Sequence, residues 1–542
     1  MADASGNAAI YFVDRHRSGT SGGKAAFIEA GEGGRTLLYR GLAEQSDRMA
    51  ALYERHGLRR EDRAAMLVLD QIEFPVIFWG SLKAGVIPVP LNTLLSAELY
   101  RAMLMDSRAR ALFVSAEVLP TVEPILAGNP YLQAVFVVDR QAGRNGASGA
   151  SIFGRLFGGG GKERNAAFLS FSEELALSAP RAAIATSADE CAFCLYSSGS
   201  TGAPKGVRHV HGSLQATADT YGRHVLGIEA DDVVFSAAKM FFAYGLGNSM
   251  TFPMAVGATT ILLSSRPTPD SVASVMRQTT PTIFCGVPTL YAAMLAAFGG
   301  RRPEGIDRLR RCISAGEALP ADVGARWAQS TGVDILDGVG STEMLHIFLS
   351  NRPSDVVLGT SGAAVPGYEL RLVDEKGDAV SVGNIGELLV SGPSAADGYW
   401  NKRAQSQATF QGRWTRTGDK YQLREDGRLI YCGRTDDMFK VSGIWVAPFE
   451  VEQALISHPS VLECAVIAAR DKDGLEKPKA FVVLKSRERT PDLENELKEH
   501  VKEKVGKWKY PRWIQLVDEL PKTATGKIQR FKLREMEGTA AQ

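Results

Sequence analysis

Short apolar runs alternate with amphipathic stretches through the first three quarters of the chain. Ala64–Leu69, Val86–Leu91, Ala111–Val114, Ala134–Val138, Thr259–Leu263 and Thr282–Phe284 are aliphatic and read as buried strands. Phe74–Lys83 and Thr289–Ala297 read as helices between such strands. Strand–helix alternation of this kind predicts an α/β fold, with parallel sheets covered by helices on both faces. No unit of about 20 to 50 residues recurs, which excludes a solenoid. Gln141–Lys162 is rich in Gly and Ser and reads as a flexible surface insertion, because the alternation resumes beyond it.

The pattern changes near residue 436. From there it reads helix (Phe449–Ser457), strand (Val461–Ala468), strand (Ala480–Leu484), helix (Pro491–Val505), strand (Trp513–Val517). Leu493, Leu497 and Val501 recur at helical spacing, and Thr490-Pro491 supplies an N-cap and first-turn proline. The expected division is a large domain over 1–435 and a small α+β domain of roughly 100 residues over 436–542.

Length and composition narrow this picture without naming a chemistry. A chain of 542 residues suggests about two to four domains. With 45% hydrophobic and 23% charged residues it is expected to be packed, not disordered. A net charge of +1 argues against a nucleic-acid binder held by a large positive field. Six cysteines are too few for a disulfide scaffold, and the CxxC pair Cys191/Cys194 has no second pair to complete a zinc site. Two small buried thiols on one strand is the better reading. The N-terminus carries Asp3 and no apolar run, so a secretory leader is not expected. The most apolar stretch, Ala65–Leu94, is interrupted by Asp70, Glu73, Lys83 and three prolines, which excludes a membrane span. A cytoplasmic enzyme is the expectation.

The most specific stretch is Tyr196–Gly206, YSSGSTGAPKG. Its glycines let backbone N–H groups approach phosphate oxygens, its hydroxyls donate further bonds, and Lys205 adds charge. A Gly/Ser surface turn is the bland alternative. The P-loop ATPase pattern fails, since it needs a lysine after the last glycine followed by Ser or Thr. Here Lys205 precedes Gly206 and Val207 follows.

This loop resembles the phosphate loop of the adenylate-forming superfamily of acyl- and aryl-CoA ligases, luciferases and peptide adenylation domains. Further motifs of that family follow in order: Ser314–Leu319 (SAGEAL), Asp337–Glu343 (DGVGSTE), Gly386–Tyr399, Trp414–Asp419 (WTRTGD), Gly433–Gly443 and Pro521–Lys527 (PKTATGK). The resemblance covers almost the whole chain. It implies a two-step reaction, in which a carboxylate attacks the α-phosphate of ATP and coenzyme A thiol then displaces AMP. Both steps need neutralised charge and aligned reactants.

The resemblance implies roles residue by residue. Ser197, Ser198, Gly199, Ser200, Thr201 and Lys205 would cradle the phosphates. Gly316, Glu317 and Ala318 would lie along adenine, with Asp337 receiving its amino group. Many members carry an aromatic where this chain has Val339, which leaves apolar contact and edge hydrogen bonds to select the purine. Thr342 would touch the α-phosphate and Glu343 would hold Mg2+, although a Thr-Glu pair alone is usually a capped helix start. Asp419 and Arg434 would take the ribose hydroxyls, where Asp419 alone would read as a turn cap. Lys527 would stand between carboxylate and α-phosphate. Asp436 would be the hinge about which the small domain turns, replacing Lys527 with the coenzyme A loop around Ser442 and Gly443.

Within the family the chain looks most like benzoate–CoA ligases. Phe242 stands where many relatives carry a histidine. Ala243, Tyr244, Gly340 and Ile347 would wall the acid pocket, His346 would close the ring's far side, and Lys440 would sit near the carboxylate or the leaving group. Such a pocket is flat and narrow, suited to one six-membered ring. His346 reads equally as a satisfied core histidine. Cys285 replaces a tyrosine of benzoate ligases and would make room for an amino or hydroxyl group if it faces the pocket. The expected activity is an ATP-dependent aryl-CoA ligase using benzoate or a substituted benzoate such as 2-aminobenzoate, with benzoate favoured. The partners implied are the aryl acid, ATP and coenzyme A, with no nucleic acid and no membrane insertion; a homodimer is left open. Two rivals are an enzyme loading an aryl group onto a carrier protein, which would usually carry that domain in the same chain, and a nucleotide sensor without activity. Joint retention of Glu343, Asp419, Arg434 and Lys527 speaks against the sensor.

Overall fold

The computed structural model describes residues 6–139, 167–198, 204–435, 437–441, 444–472, 474–486, 491–522 and 528–540. The expected insertion at Gln141–Lys162 and the Thr490 cap lie outside these residues.

Two sheets of mainly parallel strands carry the large part of the chain. Five strands, ordered Ile87–Pro90, Arg63–Leu67, Ala111–Ser115, Ala134–Val138 and Ala167–Ser170, are all parallel. The second sheet has nine strands, and its parallel centre runs Ile335–Gly340, Arg311–Ser314, Ile283–Gly286, Val233–Ser236, Thr259–Leu262 and Ala25–Glu29. Side chains alternate between faces along each strand. Ile283 and Cys285 therefore enter one core, shared with Met66 and Phe113 of the first sheet, while Phe284 enters another beneath Trp327 and Met294. The helices Tyr39–Arg55 and Glu73–Ala84 fill the layer between the sheets. Glu73–Ala84 is apolar nearly all round, with Phe74 through Leu82 buried, as a helix enclosed on every side must be. Leu112 and Val114 face a third core under the helices Ala97–Ser107 and Leu119–Leu126. The result is five alternating layers, α/β as expected.

Three parts of the expectation need correction. Strand–helix alternation does not continue through the first three quarters. Glu369–Val373, Ile385–Ser391, Phe410–Gln411, Trp414–Leu423 and Leu429–Arg434 form an antiparallel sheet. The second helix of the small region begins at Leu493 with Asp492 at its N-cap, later than the Pro491 start anticipated. The strand expected at Ala480–Leu484 starts earlier, at Glu476. Leu493, Leu497 and Val501 are buried on one helical face as their spacing requires.

The small region packs Val461–Arg470, Glu476–Leu484 and Trp513–Leu516 against the helices Pro448–Ile456, Leu493–Val505 and Arg530–Ala540. Apart from the Asp437 and Met438 N–H groups, which donate back to the Arg434 carbonyl, tethers change sides about residue 436. Thr435 N–H donates to the Gly418 carbonyl at 2.8 Å, whereas Asp437 is ion-paired with Arg534 and lies 3.9 Å from Arg530. Among the described residues no helix is long and apolar enough to cross a membrane.

Candidate active site

In the large sheet the chain passes from Val233–Ser236 to a strand on one side and later to Ile283–Gly286 on the other. This is a topological switch point, and in α/β sheets ligands lodge beyond the carboxyl ends of the strands at such a point. The carboxyl ends of three parallel strands here lead into the segments singled out above, and a fourth lies against one of them. Ser236 leads to Phe242–Tyr244, Gly286 faces that turn, Ser314 leads to Gly316–Ala318, and Gly340 leads to Thr342–Glu343.

The phosphate stretch is a β-hairpin. Cys191–Ser198 pairs antiparallel with Pro204–Val210, placing Ser197 opposite Lys205 and Ser198 opposite Pro204. Gly199, Ser200 and Thr201 lie outside the described residues, as does the Ser198 side chain. A hairpin differs from the strand–turn–helix of a P-loop, in agreement with the failed Walker spacing. Its base is anchored firmly. Tyr196 donates to Asp106 Oδ2 at 2.7 Å, and Trp400 Nε1 donates to the Asp106 carbonyl at 2.8 Å. Cys194 is buried and Cys191 half-buried on this strand, both free thiols; burial pushes Cys191 up to about 11. No group of metal-ligating side chains occurs among the described residues.

His209, which belongs to none of the residues given a role above, links this hairpin to the Thr342–Glu343 turn. Its Nε2 donates to the Thr342 carbonyl at 2.8 Å, and its ring stacks on Phe193 at 5.1 Å. Full burial pushes it down to about 4, so the imidazole is neutral at pH 7. The turn has the capped start that a Thr-Glu pair alone suggests. Ser341 caps a short 3₁₀ turn over Thr342–Met344, accepting from Met344 N–H at 3.2 Å, and that cap presents Glu343. Tyr399 donates to Glu343 Oε1 at 2.8 Å, and Lys205 Nζ lies 5.3 Å from the Tyr399 ring centre. Tyr399 ends one of the quoted motifs yet received no role from the sequence. A side-chain donor and acceptor from distant segments meet there, which linear spacing cannot reveal.

Asp337 sits on the Ile335–Gly340 strand beside Ser314. Burial raises its pKa well above the ordinary carboxyl range, and its Oδ1 has no hydrogen-bond partner among the described residues. A buried acceptor without a donor is what an incoming amino group would satisfy. Val339, two residues on, is partly buried against the central core. Asp419 and Arg434 face each other across paired strands, with Arg434 Nη1 donating to Asp419 Oδ1 at 3.2 Å.

The small region reaches this edge. Ile528 N–H donates to Glu317 Oε1 at 3.2 Å, so the residue after the TATGK segment touches the expected adenine segment. Lys527 itself lies outside the described residues, with Asp436, Ser442 and Gly443. Lys440 is on the Phe439–Val441 strand, its side chain undescribed.

Of the residues expected to form the acid pocket, Phe242, Ala243, Tyr244, Gly340, His346 and Ile347 are brought together. Phe242 is the N-cap of the Ala243–Leu246 turn, and Tyr244 donates to the carbonyls of Gly286 at 3.1 Å and Ile313 at 3.2 Å. Gly340 pairs with Ile347. His346 is 2% exposed, and its ring lies 5.6 Å from Tyr244. Burial pushes it down to about 3. Its ring leans towards the Tyr244 backbone, but neither nitrogen reaches hydrogen-bond geometry with a partner among the described residues. Cys285 lies on the Tyr244 face of its strand, not the opposite one, and is fully buried.

Comparison with known proteins agrees with this geometry. Residues 14–400 match the AMP-binding enzyme family and residues 450–527 its C-terminal domain. A 4-hydroxybenzoate–CoA/benzoate–CoA ligase of Rhodopseudomonas palustris is 52% identical, covering 98% of this chain and 94% of the relative. A crystal structure of a benzoate CoA ligase from Burkholderia xenovorans superposes with a TM-score of 0.84 at 44% identity, covering 97% of this chain and 99% of that one. An anthranilate CoA ligase in complex with anthranoyl-AMP gives a TM-score of 0.90 at 40% identity, covering 99% of both chains. The chain belongs to the AMP-binding enzyme family.

Proposed function

We propose that this protein is an AMP-forming aryl-CoA ligase, which activates benzoate or a ring-substituted benzoate with ATP and transfers the aryl group to coenzyme A. The observation that carries this reading is the meeting, at the edge of the large sheet, of the buried niche around Phe242, Tyr244, Ile347 and His346 with Asp337 and Glu343, to which the neighbouring antiparallel sheet adds Asp419 and Arg434 around Tyr399 and Tyr421. The benzoate and anthranilate ligases among its relatives support the aryl class.

Asp419 and Arg434 hold the ribose hydroxyls, Asp337 takes the adenine amino group, and the 197–205 hairpin wraps the phosphates. A carboxylate oxygen attacks the α-phosphorus, and pyrophosphate leaves. Lys527 lies between the two anions and offsets their repulsion, with Thr342 on the α-phosphate. Glu343 would hold Mg2+, which would neutralise phosphate charge. One carboxylate accepting a neutral hydroxyl, with no metal-ligating cluster nearby among the described residues, suits an ion that keeps waters and phosphate oxygens as its other ligands. Rotation about Asp436 then brings Ser442 and Gly443 to the pantetheine, with Lys440 beside the carbonyl. The thiol sulfur attacks the carbonyl carbon, its proton is lost, and AMP leaves. The switch of tethers across residue 436 supports the division at 435/436. Six free thiols fit the reducing cytoplasm.

Mass-spectrometric identification of the product formed from ATP, coenzyme A and a panel of acids tests this reading. Aryl-CoA from benzoates, with octanoate a very poor substrate, is expected. Each methylene that cannot be housed forfeits roughly 1 kcal/mol and adds about 1–3 kcal/mol of overpacking strain. Octanoyl-CoA at a rate matching the best aryl acid would contradict it.

A further inference from the structure

Beside the Tyr244 wall the protein buries polar groups that its own fold leaves unanswered. Asn248 is 0% exposed, and neither its amide oxygen nor its nitrogen has a hydrogen-bond partner among the described residues. The same is true of the Tyr221 hydroxyl and both nitrogens of His346. Tyr221 leans towards Ser350, Asn248 towards the Tyr244 hydroxyl and His346 towards the Tyr244 backbone, in each case short of hydrogen-bond geometry. Those neighbours are committed elsewhere: Ser350 donates to the Asn351 carbonyl at 2.8 Å, and Tyr244 to Gly286 and Ile313. Each buried polar group without a partner costs about 1–3 kcal/mol. Native folds keep few of them, and a concentration in one place calls for a reason.

The backbone carries a second, independent mark. Asn248 lies on a π-helical turn, Gly247–Thr251, and Tyr221 on another π-helical stretch, Ala218–Leu226. Such turns are rare and recur at functional sites. The two stretches converge on His346, whose ring centre is 5.1 Å from that of Tyr221; a Cβ at Gly247 would stand 2.8 Å from His346 Nε2. Cys285 borders Tyr221 and Tyr244.

We propose that Asn248, Tyr221 and His346 form a subsite that reads an uncharged polar substituent on the substrate ring, so that the substrate class is a hydroxy- or aminobenzoate in preference to an alkyl- or halobenzoate. The inference rests on the aryl-acid pocket described above. All three side chains are neutral and each both donates and accepts: an amide, a phenol, and an imidazole with one N–H and one bare nitrogen. They match a hydroxyl or amino group, and they offer a second carboxylate no counter-charge. A methyl group in the same place would leave every one of them unpaired, which is the strongest basis for discrimination a binding site has.

The test is kcat/KM of the full-length protein for benzoate and for hydroxyl/methyl pairs at the ortho, meta and para positions. At one position the hydroxyl acid should exceed its methyl isostere by about 10- to 100-fold. Tyr221→Phe, which removes one oxygen, and Asn248→Leu should drive that ratio towards one. The ratio is internal to each preparation, so partial misfolding does not move it. Turnover of benzoate with ratios near one at every position, or a ratio that survives both variants, would overturn the subsite. Failure of every benzoate would instead overturn the aryl-ligase reading, and the subsite with it.

Discussion

His209 does its work through a hydrogen bond to a backbone carbonyl, and its burial fixes how that work depends on pH. Its folded pKa, about 4, lies below the ordinary 6.5, so the unfolded chain binds a proton that the native state refuses. Stability from this group is whole above the ordinary value and is lost as pH falls towards 4. Between pH 7 and pH 5 the loss is about 2 kcal/mol. Urea titrations of the wild type and His209→Gln should show the wild type losing that much relative to the variant; parallel curves would refute the neutral buried ring. At Tyr399 the expectation is catalytic. Tyr399→Phe removes a donor to a carboxylate, worth about 1.5–3 kcal/mol, so the adenylation rate should fall at least 10-fold and more Mg2+ should be needed to reach half-maximal rate. Both side chains escape a reading of the sequence because each acts on a residue more than fifty positions away, His209 on Thr342 and Tyr399 on Glu343. Glu343, Asp419 and Arg434 are legible because their motifs are contiguous.

Elements buried at every position or on a regular period are legible in the sequence, and those with mixed faces are not. Ala134–Val138 and Leu493–Val505 show their pattern in burial directly. Trp414–Leu423 does not: only Thr415 and Tyr421 are buried along it, so its alternation is hidden. The hairpin at 197–205 has the sequence of a loop, because glycines and hydroxyls mask two short paired ends. Two substitutions test how elements hold the site. A Cβ at Gly245 would lie 2.0 Å from the Lys239 carbonyl oxygen. Gly245→Ala must therefore move the Phe242–Tyr244 turn, and aryl-acid KM should rise at least 10-fold with ATP KM little changed. Lys83, fully buried at the end of Glu73–Ala84, pairs with Asp14 and Asp47 at 2.6 Å each. Lys83→Ala strands two carboxylates beside Arg17 alone, and chemical denaturation should register a loss of about 3 kcal/mol.

At the scale of the molecule, the family motifs alone make the active-site edge readable in the sequence. The layers between the sheets are not readable there, since they depend on which strands become neighbours. The hydrogen bond from Ile528 to Glu317 ties the residue that follows TATGK to the segment proposed to lie along adenine. Lys527→Ala should therefore lower adenylation by about 10²–10³-fold. It should leave thioester formation from supplied aryl-AMP largely intact, and equal loss of both steps would count against rotation about Asp436. Everything proposed for this molecule requires two chemical steps to share one site. Pyrophosphate release, followed after mixing enzyme with ATP and benzoate, tests that requirement. Without coenzyme A the expected course is a burst of about one pyrophosphate per active site and then near silence, because the aryl-AMP stays bound. Added coenzyme A should convert this to continuous turnover with aryl-CoA and AMP in equal amounts. Steady pyrophosphate release that coenzyme A does not change, or no release in its presence, would contradict the two-step site.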